Sequence, residues 1–326
     1  MLKRWKILLC SLAVAALGGL AGPAPATAAF PDRPITLIVP WAAGGGTDSV
    51  SRMIAALLEK DFGQPVNVVN RTGGSGVVGH TAIAQAKPDG YTIGLITLEI
   101  SMMHWVGLTD LTYEGFTPLA LMNVDPAAIH VKADSKYKTM ADLIAAIKAN
   151  PGKITSSGAG QGGGWHLAMA GMLRSLGINP STVTWVPATG AATSLTDLAG
   201  GGIEFVSCSL PEADALTKAG RVRTLAYMDD KRSPVAPDVP TLKEAVNSEW
   251  TLGLWRAMVG PKGMPADIAQ KYEAAFKKIF ESSEFQGFMK NRGFGAVYMN
   301  AADLKAFMAK DDKGAGEVLK DMGLAK

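Results

Sequence analysis

The sequence predicts an α/β protein of two lobes, each built like a Rossmann unit, joined by two chain crossings. Three observations carry this. Strand-like apolar runs alternate with helical patterns from Ile35 to Val259, glycine clusters recur at strand-to-helix turns, and the stretch from Pro265 onward is helical with no sheet of its own. The alternation is the pattern of parallel strands covered by helices on both faces. Terminal helices without a sheet must return to an earlier one, so the chain crosses twice between lobes, and two crossings make a hinge.

The elements follow in order. Ile35–Val39 is a buried-strand run closed by Pro40, and Asp48–Phe62 repeats apolar residues at helical spacing until Gly63. Val66–Val69 is the next strand, Val77–Ala86 the next helix, Lys87-Pro88-Asp89-Gly90 a turn, and Tyr91–Ile96 a third strand. A second unit begins near Ala128, with a helix at Thr139–Ala149 and strands at Lys153–Ser157, Val183–Val186, Ile203–Ser207 and Arg223–Tyr227. Leu252–Val259 reads as a returning strand, followed by helices at Pro265–Ser282, Glu284–Arg292 and Ala301–Met322. The crossings fall near Leu121–Ile129 and Leu252–Val259. This divides the chain into a discontinuous domain, 29–126 plus 254–326, and a continuous one, 127–253, with a ligand cleft between them.

The chain has 326 residues, enough for two domains at ~100–200 residues each. Its net charge of +3 comes entirely from Lys3, Arg4 and Lys6, since no acid precedes Asp32. A balanced remainder lacks the basic surplus of nucleic-acid binders, so no nucleic-acid partner is expected. Those basic residues open an export signal: the apolar run Ile7–Leu17, breakers at Gly18, Gly19, Gly22 and Pro23, and a small-x-small site at Ala26-Thr27-Ala28. The apolar run is too short for the ~20 residues that span a bilayer. Residues 1–28 are therefore expected to be cleaved, leaving a periplasmic, monomeric protein without a preloaded cofactor. Cys208 is then the remaining cysteine, either a buried small hydrophobe or a thiol nucleophile.

Four glycine loops follow strands and open helices: Pro40–Asp48, Asn70–Gly79, Ser156–His166 and Pro187–Thr193. Such loops either make tight turns or cradle anions, because glycine lets backbone N–H groups face outward and a helix start adds partial positive charge. In open α/β sheets the ligand crevice lies at the carboxyl ends of the strands, where these loops stand. The candidate ligand residues are Trp41, Ala42, Ala43, Gly44, Gly45, Thr47 and Asp48 on the first loop, and Gly73, Gly74, Ser75 and Gly76 on the second. Ser157, Gly160, Trp165 and His166 belong to the third, Thr189 and Gly190 to the fourth, with Ser207 and Arg256 beside them. Asp48 either caps its helix or meets a ligand donor. Arg256 pairs either with a second ligand carboxylate or with a structural acid. Trp41 and Trp165, one from each lobe, either pack on their own lobes or flank a planar acid.

Other chemistry is poorly supported. Gly74-Ser75-Gly76-Val77-Val78-Gly79, with Glu99 twenty residues on, matches a dinucleotide fingerprint, but glycine is frequent throughout and export places the chain away from nicotinamide cofactors. His80 stands where a phosphate-binding loop requires lysine. There is no Gly-x-Ser-x-Gly elbow, and His80, His104, His130 and His166 are scattered without zinc spacing. No catalytic residue, metal or cofactor is expected.

The ordered motifs resemble the substrate-binding proteins of tripartite tricarboxylate transporters, the TctC/Bug family. Pro40–Asp48 is similar to the family's first-strand motif, Asn70–Gly79 to its second loop, and Lys87–Tyr91 to the turn after it. Phe116–Leu119, Gly200–Glu204, Ala219–Ala226, Pro237–Thr241 and Pro261–Pro265 continue the likeness to the C-terminus. The resemblance implies a type II-like periplasmic binding protein that closes on a small organic carboxylate, di- or tricarboxylate or aromatic acid, with backbone N–H and hydroxyl groups. It implies delivery to membrane permease subunits. A sensor presenting the ligand to a signalling partner and an exported enzyme on small carboxylates are the alternatives.

Overall fold

The computed structural model describes residues 30–321 and 323–326, so the expected export signal lies outside the described residues. The first lobe opens as β1 (Ile35–Val39), α1 (Gly46–Phe62), β2 (Val66–Asn70), α2 (Val77–Ala84) and β3 (Thr92–Thr97). Its strands run parallel in the order β2-β1-β3. Side chains alternate across this sheet as the pleat dictates. Ile35, Leu37 and Val39 join one apolar core, and Ile38 and Ile96 join the other. Gly94 and Gly79 allow the close fit of α2: a Cβ on Gly94 would sit 2.2 Å from Ile83, and one on Gly79 would sit 2.4 Å from the Pro40 backbone.

A single long strand, β4 (Phe116–Lys132), then carries the chain into the second lobe. There follow α3 (Met140–Ala149), β5 (Ile154–Ser157), α4 (Gly164–Ser175), β6 (Val183–Trp185), α5 (Ala191–Gly200), β7 (Phe205–Ser209), α6 (Leu210–Lys218), β8 (Val222–Tyr227) and α7 (Leu242–Val246). β9 (Gly253–Pro261) returns to the first lobe. The chain finishes with α8 (Ala266–Glu281), α9 (Ser283–Arg292), β10 (Ala296–Met299) and α10 (Ala301–Asp321).

The two lobes share one sheet path, β2-β1-β3-β9-β4-β7-β5-β6, with β8 and β10 also paired to β4. β4 changes partners midway: Pro126 pairs with Gly253 of β9, and Ala127 pairs with Ser209 of β7. The expected parallel order holds within β2-β1-β3 and β6-β5-β7, but the crossing strands are antiparallel to their neighbours. β10 departs from the all-helical stretch expected after Pro265. Its four residues sit among helices and pair with β4 at Ala296 and Met299 across a register shift, so no alternating pattern announces them.

The terminal helices dock on the first lobe, as their lack of a sheet requires. Tyr272, Phe276 and Ile279 of α8 share a core with Leu37, Ile54 and Leu58. Leu304, Met308 and Leu319 of α10 join the core that contains Trp255. Cys208 is fully buried in β7, and burial pushes its thiol well above the ordinary value. That environment suits a small hydrophobe and opposes formation of a thiolate.

Candidate functional site

Three helices that start at the cleft lack the side-chain caps that α3 and α7 carry. α3 and α7 begin with full capping boxes, built on Thr139 with Asp142 and on Thr241 with Glu244. α1, α4 and α5 begin on glycine, at Gly45, Gly163 and Gly190, with no side-chain cap. Their first-turn N–H groups are left without a local acceptor and carry the positive end of the helix dipole. All three starts converge where the lobes meet.

Seven of the expected ligand residues line this meeting: Trp41, Ala42, Gly45, Thr47, Trp165, Gly190 and Arg256. Gly46, Thr97, Glu99, Ala159, Ala191, Glu212, Leu254 and Trp255 complete it. The lobes are drawn together so far that the free space is about 20 Å³, on the order of one water.

Four hydrogen bonds close the lobes on each other. Ala42 N–H donates to the Thr189 carbonyl at 3.2 Å, and Ser75 Oγ to the Gln161 carbonyl at 2.8 Å. Gly46 N–H, at the start of α1, donates to Glu212 Oε1 of the second lobe at 3.1 Å. Gly164 N–H, at the start of α4, donates to Glu99 Oε1 of the first lobe at 2.9 Å. Two of the three bare helix starts, those of α1 and α4, therefore meet a glutamate from the opposite lobe.

Both glutamates are held in place. Glu212 Oε2 completes the capping box of α6, accepting from Ser209 N–H at 3.2 Å and Ser209 Oγ at 3.1 Å. Burial pushes its carboxyl above the ordinary value, against the pull of Arg256 and of the Ser209 and Gly46 N–H groups. Glu99 Oε2 accepts from Thr97 Oγ1, which in turn accepts from Trp41 Nε1 at 3.1 Å. Behind them, His80 Nδ1 bonds the Gly76 carbonyl at 2.8 Å while Nε2 accepts from Thr97 N–H at 3.2 Å. That pairing assigns the neutral tautomer, and burial holds the His80 pKa below its ordinary value.

Arg256 is committed to the hinge rather than left free. Its Nη1 bonds Asn123 Oδ1 and Asp125 Oδ2, its Nε donates to Thr47 Oγ1 at 3.0 Å, and its Nη2 lies 3.7 Å from Glu212. The guanidinium thus ties both crossing strands to the start of α1. Asp48 braces the first loop from below. Its Oδ2 accepts from Gly44 N–H and Arg52 Nε, both at 2.9 Å, and its Oδ1 accepts from Asn70 at 3.0 Å. Burial opposes its charge, but Arg52, the Gly44 N–H and Asn70 outweigh that and hold the carboxyl below its ordinary value.

The remaining expected residues sit around the meeting without lining it. Ala43 and Gly44 are at the exposed rim. Gly73, Gly74, Ser75 and Gly76 form a left-handed turn whose last glycine lies against the Trp41 ring, 3.1 Å from where its Cβ would stand. Gly160 faces Ser75 across the lobes at 2.4 Å by the same measure. Ser157 is engaged with the Val186 carbonyl and Ser194, and Ser207 is fully buried in β7. His166 turns toward Trp185, ring centroids 4.8 Å apart, and accepts from Gly162 N–H at 3.1 Å. Burial lowers its pKa to about 4. Trp255, which does line the meeting, donates to Asp311 at 2.8 Å and packs against Phe307, so its ring is anchored in the α10 core.

Sequence reasoning missed Glu99 and Glu212. Glu99 follows the carboxyl end of a strand, where crevice residues gather, and Ser209–Glu212 has capping-box spacing. Neither signal foretells a partner on the other lobe.

Two α/β lobes bridged by paired crossing strands, with glycine-started helices facing each other between them, define a periplasmic binding protein. The chain belongs to the tripartite tricarboxylate transporter family receptor group (TctC), whose family model matches residues 50–324. It is 33% identical to the UPF0065 protein in the gbd 5' region of Cupriavidus necator, over 96% of this chain and 95% of that one. Among solved structures it is similar to the periplasmic binding protein BugD, with a TM-score of 0.85 and 29% identity over 91% of this chain and 100% of the other. MatC from Rhodopseudomonas palustris with bound malate gives 0.82 and 26%, covering 89% and 100%. Rpa4515 of R. palustris with adipate gives 0.85 and 27%, covering 91% and 99%. These family members and neighbours are binding receptors rather than enzymes.

Proposed function

We propose that the chain is a monomeric periplasmic solute receptor that captures a small organic carboxylate between its lobes by hinge closure. It then hands the ligand to the membrane permease subunits of a tripartite tricarboxylate transporter. The domains in this reading are 29–126 plus 254–326 and 127–253, with residues 1–28 removed on export. One observation carries it: the α1 and α4 starts, from different lobes, face one cleft with glycine caps, and their first N–H groups are met only by a glutamate of the opposite lobe. Carboxylates are favoured at such positions without a lysine or arginine. The malate and adipate bound by structural neighbours fit the same chemistry.

In this reading Trp41, Ala42, Gly45, Thr47, Trp165 and Gly190 touch the ligand. Asp48, Gly73, Gly74, Ser75, Gly76 and Gly160 shape the loops that close over it. Arg256 fixes the hinge beside it. The test is a thermal-shift screen over organic acids, in which a ligand present at 100 times its Kd adds about 2.7 kcal/mol of stability. Small-angle scattering on the best ligand should then show a compact, saturable state. A screen with no stabilising acid would remove the carboxylate reading.

A further inference from the structure

The bonds that hold the lobes together also describe what a ligand must supply. Lobe one offers a donor end at Gly46 and an acceptor end at Glu99, while lobe two offers a donor end at Gly164 and an acceptor end at Glu212. The two pairings run in opposite directions across the cleft. With about 20 Å³ free, a molecule enters only by parting the lobes and replacing these contacts. Every buried group it separates must be satisfied again, because an unpaired buried carboxylate is costly.

Neither glutamate is placed to leave. Glu99 is 2% exposed and the Glu212 side chain 5%. Each has its second oxygen anchored within its own lobe, by Thr97 and by Ser209. Arg256, the cation at this meeting, already serves Asp125 and lies against Glu212. A ligand carrying only carboxylates would add negative charge beside two fixed carboxylates and bring them no donor.

Building on the carboxylate-receptor reading, we propose that Glu99 and Glu212 are specificity-determining residues that select an amphoteric ligand, a carboxylate that also carries an ammonium or amide N–H group. The carboxylate takes the donors at a glycine-capped helix start, and the nitrogen takes the glutamate that the start releases. The two pairings thereby survive with the ligand inserted between their halves.

The experiment is calorimetric titration of the full chain with matched pairs: adipate and 6-aminohexanoate, malate and aspartate, succinate and succinamate. The nitrogen-bearing member should bind at least tenfold more tightly in a pair that fits. Glu212→Gln and Glu99→Gln keep an acceptor oxygen for the helix starts, and at least one should cut that ratio tenfold while circular dichroism stays unchanged. Equal or tighter binding of the plain diacids would overturn the selection and leave the carboxylate-receptor reading standing. A ratio that both glutamine variants preserve would overturn the role of these residues. Failure of all six compounds to bind, where the acid screen finds a stabilising carboxylate that carries no nitrogen, would overturn the selection and leave the carboxylate-receptor reading standing.

Discussion

Replacing Arg256 with methionine should be among the more damaging single changes in the first lobe. The guanidinium is 2% exposed and meets Asp125, Asn123 and Thr47 at once. Methionine fills much of the volume but leaves Asp125 Oδ2 buried without its cation. Asp125 Oδ1 retains the Gly295 N–H at 2.8 Å and Asn123 at 2.9 Å, so the residue cannot turn out to water without breaking those bonds. Breaking a buried pair by removing one partner costs about 3–5 kcal/mol. For a chain of ~300 residues with an unfolding entropy of ~2.1 cal/mol/K per residue, that lowers Tm by ~5–8 °C. Pairing Arg256→Met with Asp125→Asn removes the stranded charge while keeping the Oδ1 acceptor, so the double variant should recover ~1 kcal/mol or more. Calorimetry of the wild type, both singles and the double gives the coupling directly. A loss below ~1 kcal/mol in the single variant, or strictly additive losses, would refute the view that this ion pair holds the hinge strands.

Other expectations follow from the same geometry. Gly160→Ala places a Cβ 2.4 Å from Ser75 on the opposite lobe. It should prop the cleft and weaken ligand binding by ~tenfold or more, about 1.4 kcal/mol, with a larger radius of gyration at unchanged circular dichroism. Trp41→Phe keeps a ring but removes the donor to Thr97, which should cost ~1 kcal/mol in denaturant unfolding. His130 is buried with its pKa lowered to about 4 from 6.5. The unfolded chain takes up a proton first as pH falls, so stability should decline from about pH 6.5 to about pH 4, by ~3 kcal/mol at 1.36 kcal/mol per pH unit. His130→Gln should remove that share of the decline in urea titrations at successive pH values, while His166, lowered in the same way, keeps its own.

What the sequence makes legible here is local. β1, α1, β2, α2 and β3 fall within two residues of their expected bounds, because apolar runs and glycine stops state them directly. The return of α8–α10 to the first lobe follows from counting helices without strands. β10 stays hidden because pairing over a register shift leaves no pattern in the chain. At the site, Trp41, Thr47 and Gly190 are recognisable because each sits in or beside a glycine loop. Glu212 is not, since its capping role is visible in four residues while its bond to Gly46 spans 166 positions. Arg256 shows the same limit from the other side: its charge is obvious, but its neighbours decide whether that charge is spent inside the protein.

The order in which the chain is made sets how the first lobe can assemble. β1, β2 and β3 are synthesised before residue 98, yet their sheet is completed by β9, which begins at Gly253, and their outer faces are covered by helices that end at Asp321. The second lobe lies wholly between and can finish first, as an insert within an unfinished host. Long-range pairing of this kind folds slowly and leaves strand edges open in the meantime. The half-made first lobe, with Leu37, Ile93 and Leu95 awaiting Met258 and Phe276, is thus the stage at which aggregation would compete, and an early C-terminal truncation should damage the N-terminal lobe before the middle one.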